Sequence, residues 1–223
     1  AGGAFALKLL ISPTEALCLT GHAGAALSEI QQLTASSITV SGDFYPGTTL
    51  QELSVRGPTQ EASLAAVIHA LTKFLQEAGA VSGGEENVEP GGARLKIIVP
   101  LRAAASIIGK GGENIKALRA QTGLFIHVEK TSVPVEGGEL AEQVVSLSGP
   151  ISGVQAALPA ISAIIAALVP EPWFAGWASC SYAGCTIPGL FLEFSGKGKG
   201  VGKTPVMEML GGAGFAEWPG MGL

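Results

Sequence analysis

Ile107-Ile108-Gly109-Lys110-Gly111-Gly112-Glu113-Asn114-Ile115 is the stretch that decides the fold of this 223-residue chain. It joins two short segments with helical patterning. The first, residues 102–108, is rich in alanine, and the second, residues 113–122, places Ile115 and Leu118 on one face. Three of the four connecting residues, 109–112 (the second turn), are glycines, which leave the main chain open to approach. The pattern predicts two helices joined by an exposed turn.

The second turn has the chemistry of a site for a phosphate or sugar-phosphate backbone. Gly112 comes just before a helix whose first N–H groups have no partner within the helix, and such N–H groups suit an anion. Lys110 adds a flexible cation at the tip. Lys116 and Arg119, one helical turn apart, add two more positive charges along the next helix.

The surroundings of this turn resemble the K-homology (KH) domain. A strand is predicted at residues 95–100, an alternating strand at 123–128, and a third strand at 144–150 that leads into a helix. Together with I-I-G-x-x-G-x-x-I at residues 107–115, this order is similar to that of a type I KH domain. In that family the G-x-x-G turn holds the backbone of about four nucleotides of single-stranded RNA or DNA.

The resemblance implies a groove that lies between the turn with its helices on one side and the second strand on the other. It assigns the backbone contact to the second turn, an apolar lining to four isoleucines, and charge or polarity to Lys110 of the turn and three further side chains. The turn residues are Gly109, Lys110, Gly111 and Gly112, the isoleucines are Ile107, Ile108, Ile115 and Ile126, and the polar side chains are those of Lys110, Lys116, Arg119 and His127. Ile115 fits a plain core position equally well. Lys116, Arg119 and His127 also fit an ordinary solvated surface.

The first third of the chain repeats this pattern. We call residues 4–78 the first unit and residues 93–169 the second unit. At an offset of 88 residues, Leu7-Lys8-Leu9-Leu10-Ile11 falls on Leu95-Lys96-Ile97-Ile98-Val99, and residues 21–24 (the first turn) fall on the second turn. The offset grows to 92 beyond a loop. A constant offset that changes only inside a loop is typical of two copies of one fold.

The first turn has lost the cations of the second. It reads Gly21-His22-Ala23-Gly24, and Gln31 stands where the second unit has Arg119. Residues 1–92 contain 3 Lys or Arg and 9 Asp or Glu, whereas residues 93–168 contain 7 and 5. We therefore expect a weaker RNA site in the first unit, or a surface for a protein partner or for self-association.

These observations predict an α+β chain with two tandem type I KH domains and an irregular C-terminal tail. Each domain is β-α-α-β-β-α, with a three-stranded antiparallel sheet packed against three helices. Residues 79–92 are predicted to be a flexible linker because they are acidic, polar and rich in glycine. Residues 170–223, with aromatic residues scattered among glycines and prolines, are predicted to be largely disordered. Pro159 is expected to kink or split the last helix of the second unit.

The expected function is binding of single-stranded RNA, with single-stranded DNA as an alternative, by a protein of the cytoplasm or nucleus. The resemblance extends to the poly(C)-binding and Nova-type families, although Glu142-Gln143 and Phe125 differ from what cytosine-selective members carry. A protein-interaction scaffold is the rival interpretation. No catalytic or metal-ligating spacing stands out, and neither a cofactor nor a membrane contact is expected.

Overall fold

The computed structural model describes residues 5–84, 88–134 and 141–180. The first unit begins with strand β1 and helix α1, which is interrupted by non-helical backbone at the first turn. Two strands and a second long helix follow. The bounds of these elements are β1 Phe5–Ile11, α1 Pro13–Thr34, β2 Ser37–Phe44, β3 Gln51–Gly57 and α2 Gln60–Ala78. Their order is the predicted β-α-α-β-β-α order, with the two short helices on either side of the interruption in α1.

The second unit repeats this order. Its elements are β4 Gly92–Pro100, α3 Leu101–Ile108, a single 3-10 turn Lys110–Gly112, α4 Glu113–Thr122, β5 Phe125–Pro134, β6 Ala141–Pro150 and α5 Ile151–Ala166. The bounds of α4 agree with the prediction. Strands β5 and β6 are longer than predicted, and residues 135–140 between them lie outside the described ranges. The sequence predicts that Pro159 kinks or splits helix α5, and the split is wrong because the helix is continuous through Pro159.

The strands of both units belong to one six-stranded antiparallel sheet. Its order is β2-β3-β1-β4-β6-β5, so β1 and β4 meet in the middle. Leu9 lies opposite Ile97 in this central pair. The sequence predicts two three-stranded sheets, and the structure joins them edge to edge.

The main core lies between this sheet and the helices. On β1, Leu7, Leu9 and Ile11 belong to it, in the same cluster as Phe74 of α2. Because side chains alternate along a strand, the residues between them face the other side of the sheet. A second apolar cluster on that back face includes Leu10 and Ile98. The sheet is therefore covered on both faces near its centre.

The described part of the predicted flexible linker is packed against the sheet. Glu15 closes a capping box with Ser12 at the start of α1, and its Oε1 also accepts a hydrogen bond from the N–H of Ser82 over 2.7 Å. Val81 is buried and pairs with Ala93. The linker is ordered here because a buried carboxylate of the first unit binds its backbone, a contact that composition does not reveal.

The prediction that residues 170–223 are largely disordered is wrong for the first residues of this segment. Helix α6 (Phe174–Ser179) buries Phe174 and Trp177. The indole Nε1 of Trp177 donates to Oε2 of Glu142 over 2.9 Å, and the Nζ of Lys8 lies 4.7 Å from the centre of an indole ring of Trp177. The segment therefore folds because its aromatic side chains complete a core. Residues 181–223 lie outside the described ranges.

A buried ionic cluster joins the two units beneath α6. Lys8 of β1 lies 3.6 Å from Glu142 of β6 and 3.9 Å from Glu52 of β3, and all three residues are almost fully buried. Tyr45 donates to Glu142 over 3.2 Å. Charges withdrawn from water need such partners, so the cluster favours one arrangement of the two units.

No helix within the described ranges is long and apolar enough to cross a lipid bilayer.

Candidate nucleic-acid interface

The second turn has a backbone that glycine alone adopts readily. Gly109 has φ 73° and ψ 174°, and Gly111 and Gly112 have φ 61° and 78°. Positive φ is costly for residues with a Cβ, and the region that Gly109 occupies is almost restricted to glycine. The turn therefore presents main chain rather than side chains at the start of α4, where N–H groups lack partners within the helix.

Asn114 braces this turn, a role that the sequence did not reveal. Its side-chain Nδ2 donates to the carbonyl of Ser106 over 2.8 Å, which ties the start of α4 to α3. A Cβ added to Gly109 would lie only 2.6 Å from the Cγ of Asn114, which is too close for two carbon atoms. An asparagine two residues after a glycine pair is a weak sequence signal, because asparagine is common in any turn.

The three predicted cations have different surroundings. Lys110 is exposed at the tip, and the Nζ of Lys116 lies 3.5 Å from the carbonyl of Gly111. Arg119 instead reaches across to the edge strand β5. Its Nε donates to the carbonyl of Ile126 over 3.0 Å, its Nη2 donates to the same oxygen, and its guanidinium lies 5.7 Å from the ring of Phe125. Arg119 is thus held at the rim of the groove.

The four predicted isoleucines divide into core and surface. Ile107, Ile115 and Ile126 are buried in the main core, so they support the groove from below. Ile108 is 37% exposed beside the second turn. His127 is exposed on β5, and Phe125 on the same strand is 66% exposed. Both residues alternate along β5 with Ile126 of the main core, so their side chains lie on the back face of the sheet and the prediction of His127 in the groove is wrong.

The first turn has the corresponding place in α1 but carries side chains. His22 and Ala23 have φ 49° and 59°, and Gly24 has φ 73°. Gln31, the equivalent of Arg119, also contacts the edge strand, where its Oε1 accepts from the N–H of Ile38 over 2.8 Å. In both units, therefore, a helix side chain forms a hydrogen bond with the backbone of the edge strand. Arg119 donates to a carbonyl, whereas Gln31 accepts from an N–H group.

The second groove combines donors that attract anions with apolar surface. Lys110 and Lys116 are exposed beside open backbone, and Ile108 is exposed next to them. Such a combination binds a phosphate backbone through charge and unpaired bases through apolar contact. Within the described ranges, no group of three or more His, Cys, Asp or Glu side chains is arranged to hold a metal ion.

Comparison with known proteins agrees with this geometry. The KH domain family model matches residues 94–163. RNA-binding protein Nova-2 of Homo sapiens is 32% identical over 199 residues, which cover 83% of this chain and 39% of Nova-2. RNA-binding protein Pasilla of Drosophila melanogaster is 24% identical over 188 residues, which cover 82% of this chain and 23% of Pasilla.

A shorter match involves far upstream element-binding protein 2 of Homo sapiens, which is 35% identical over 51 residues, covering 23% of this chain and 7% of that protein. The chain spans well under half the length of each of these relatives. The turn, the order of elements around it and the family match all fall on the same residues. Residues 94–163 therefore match the KH-domain family, and the chain is similar to the RNA-binding proteins Nova-2 and Pasilla.

Proposed function

We propose that this chain binds single-stranded RNA through the second unit. The observation that carries the proposal is the second turn, where three glycines with positive φ expose backbone beside Lys110 and the start of α4. A phosphate backbone can approach such a turn closely because no Cβ stands in its way. Lys116 adds a further cation one turn along α4.

The bases of the bound strand lie between Ile108 and the edge strand β5 in this proposal. Ile108 offers apolar contact on the helix side, and Arg119 borders the strand side, where it binds the carbonyl of Ile126. Ile107, Ile115 and Ile126 act indirectly, because they are buried and fix the positions of the elements that carry the groove. The net positive charge of residues 93–168 favours the same site.

The first unit is proposed to be a second, divergent KH domain. Its strands and helices follow the order of the second unit, and the interruption of α1 falls at residues 21–24. The proposed domains are residues 4–78 and 93–169, joined by residues 79–92. Because His22 and Ala23 replace Lys110 and Gly111, the first turn provides a weaker RNA site.

RNA is preferred over single-stranded DNA because Nova-2 and Pasilla are both named as RNA-binding proteins. Control of transcripts after their synthesis, in the nucleus or the cytoplasm, is the process that this activity would serve.

A protein-interaction scaffold is the second candidate function. Its support comes from the first unit, where Leu17, Leu33 and Phe44 are 66%, 65% and 54% exposed. Large apolar side chains with this exposure favour contact with a protein partner or with a second copy of the chain. An acidic surrounding without a cation at the first turn also fits this role better than tight RNA binding.

Fluorescence titration with a labelled RNA that contains one randomised four-nucleotide block tests the proposal. Binding at low salt that weakens steeply as salt rises is the expected result, because phosphate contacts release counterions. The same sequence pool made as DNA tests the preference for RNA. Absence of binding at low salt would overturn the proposal and favour the scaffold.

A further inference from the structure

The back face of the second unit carries polar side chains on the side of the sheet opposite to α3, α4 and α5. Ile126 and Leu147 belong to the main core, so the residues that alternate with them point away from these helices. Two rows of side chains cross β5, β6 and β4 on this face, and we call them the back-face patch. They are Phe125-Ser148-Arg94 and His127-Ser146-Lys96. Neighbouring strands are about 5 Å apart, so each row spans about 10 Å.

The patch has an exposed aromatic side on β5 and short hydroxyl side chains in its middle. Phe125 is 66% exposed and His127 is exposed, whereas Ser146 and Ser148 are half-buried. The neighbours of Phe125 on this face are Ser148 across the strand pair and His127 along the strand, and both are polar. The centre of a protein interface is typically apolar, with few polar side chains. A single exposed ring among polar groups fits a nucleobase better, because every base has a face that can stack.

Lys96 supplies a cation on the opposite side of the patch. It stands 88 residues after Lys8, at the equivalent place in the second unit. Helix α6 covers Lys8, and the Nζ of Lys8 lies 4.7 Å from the centre of an indole ring of Trp177. Lys96 is only half-buried and forms no ion pair or hydrogen bond within the described ranges. The place that an aromatic ring of the chain fills over Lys8 is therefore open over Lys96.

Arg119 connects the patch with the groove. It begins on α4, its Nε donates to the carbonyl of Ile126 at the edge of the sheet, and its guanidinium lies 5.7 Å from the centre of the Phe125 ring. Since the ring lies on the back face and Arg119 lies at the rim of the groove, positive charge continues around the edge strand. A strand that leaves the groove across this edge meets the aromatic ring next.

Two carboxylates lie at the margins of the patch. Glu129 accepts a hydrogen bond from the hydroxyl of Ser146 over 3.4 Å, and Glu89 lines a shallow pocket together with Arg94 and Ser148. The charges nearest to Phe125 and Lys96 themselves are positive or absent, which favours an anionic ligand at the centre of the patch.

We propose that the back-face patch is a second contact surface for the bound RNA, on which nucleotides flanking the groove-bound segment are held. This inference rests on the proposed function and goes beyond it, because the patch lies outside the groove. Phe125 stacks on a base, and Arg119 and Lys96 contact phosphates. Sheets with exposed aromatic residues bind unpaired bases in this way in other folds. The ligand is a single strand longer than the about four nucleotides that one groove holds.

Fluorescence titration of the whole chain with three RNAs tests the inference. The first RNA is the four-nucleotide block that the chain binds best, the second adds short oligouridine flanks, and the third has the same flanks without bases. The parent chain is compared with Phe125→Ser and Lys96→Gln. The matched controls are Phe44→Ser on β2, where the ring is 54% exposed, and Lys73→Gln on α2.

We expect the uridine flanks to raise the affinity of the parent chain about tenfold, and Phe125→Ser to remove most of this gain. Lys96→Gln should lower the slope of log affinity against log salt by about one. The block alone should bind all variants equally. Flanks without bases should give the parent the affinity that uridine flanks give Phe125→Ser. Irradiation of an RNA with 5-iodouridine in its flanks should attach it to Phe125 or His127.

The same titration with His22→Asp and Ala23→Asp together separates the patch from the first turn. The gain from the flanks should persist in this variant, and its disappearance would assign the flanks to the first unit and overturn the inference. An equal loss for the block and the flanked RNA in Phe125→Ser would also overturn it, because Phe125 would then act only through Arg119.

The remaining outcomes distinguish the patch from the groove. A block that binds without any gain from flanks would leave the proposed function intact and leave the back face to a protein partner. An equal gain from flanks with and without bases would reduce the contact to charge and contradict stacking on Phe125. Absence of binding for all three RNAs would remove the proposed function and this inference with it.

Discussion

Asn114 occupies the space that a side chain on Gly109 would need. The Cγ atom of Asn114 lies 2.6 Å from the position of a Cβ on Gly109, and its amide group at the same time binds the carbonyl of Ser106. The glycine and the asparagine are therefore fitted to each other. The open backbone of the turn depends on this contact as well as on the flexibility of glycine.

This relationship predicts that alanine is tolerated at Gly111 but not at Gly109. A methyl group at Gly109 collides with Asn114 in a backbone region that is almost restricted to glycine, which should cost about 2–4 kcal/mol of unfolding free energy. At Gly111 nothing lies within 4 Å of an added Cβ, so only the positive φ is penalised, by about 1 kcal/mol. Urea unfolding of Gly109→Ala and Gly111→Ala measures both values. Equal losses would contradict the proposed fit.

Acidic residues at the tip of the second turn should abolish RNA binding without unfolding the chain. Lys110 and Gly111 are exposed, so Lys110→Asp with Gly111→Asp removes one cation and places two carboxylates where phosphate is expected. The loss of affinity should be about 2 kcal/mol or more. The matched control is His22→Asp with Ala23→Asp at the first turn. Fluorescence titration should show a much smaller loss for the control, and circular dichroism should show that both variants are folded.

Glycine at Ala23 should stabilise the chain. Ala23 has φ 59° without any of the local hydrogen bonds that let asparagine or aspartate adopt this conformation. Ala23→Gly should raise the unfolding free energy by about 1 kcal/mol, which corresponds to about 2–4 °C in the melting temperature. Ala117→Gly, at an exposed position inside α4, is the control and should lower stability by a similar amount. A decrease for both variants would mean that the first turn is not strained.

Removal of the buried lysine should be strongly destabilising. Lys8→Met leaves Glu52 and Glu142 without the cation between them, and loss of one partner in a buried ion pair typically costs about 3–5 kcal/mol. Adding Glu142→Gln to this variant should recover part of the loss. Lys73→Met is the control, because its pair with Glu29 is partly exposed and should contribute about 1 kcal/mol or less. Similar losses for Lys8→Met and Lys73→Met in thermal unfolding would argue against the cluster.

The elements around the site can be predicted from the sequence because their signals are local. Helix α4 has the predicted bounds because Gly112 and Gly123 flank it and Ile115 and Leu118 form its apolar face. Short apolar runs indicate the strands, and the offset of 88 residues relates β1 to β4. These features depend on neighbours within a few positions in the chain, or on repetition of such features.

The contacts that are distant in sequence cannot be predicted in this way. The composition of residues 79–92 is typical of a free tether, but Glu15 binds the backbone of Ser82 from 67 positions away. Trp177 is buried because Lys8 and Glu142 meet beneath it, and nothing near Trp177 in the sequence indicates this. The pattern of α4 indicates only that Arg119 is a cation for phosphate, whereas its contact with the carbonyl of Ile126 depends on where β5 passes α4.

The central pairing of β1 with β4 also protects the chain from association. In a single unit β1 would be an edge strand, with seven buried, mostly apolar residues at Phe5–Ile11 and a row of unpaired backbone groups. Such an edge is a ready template for another strand, and in this molecule the second unit fills that place. Separating the two units would therefore expose the unpaired backbone groups of two edge strands, β1 and β4. Each separated unit would then pair through this edge strand with other copies of itself.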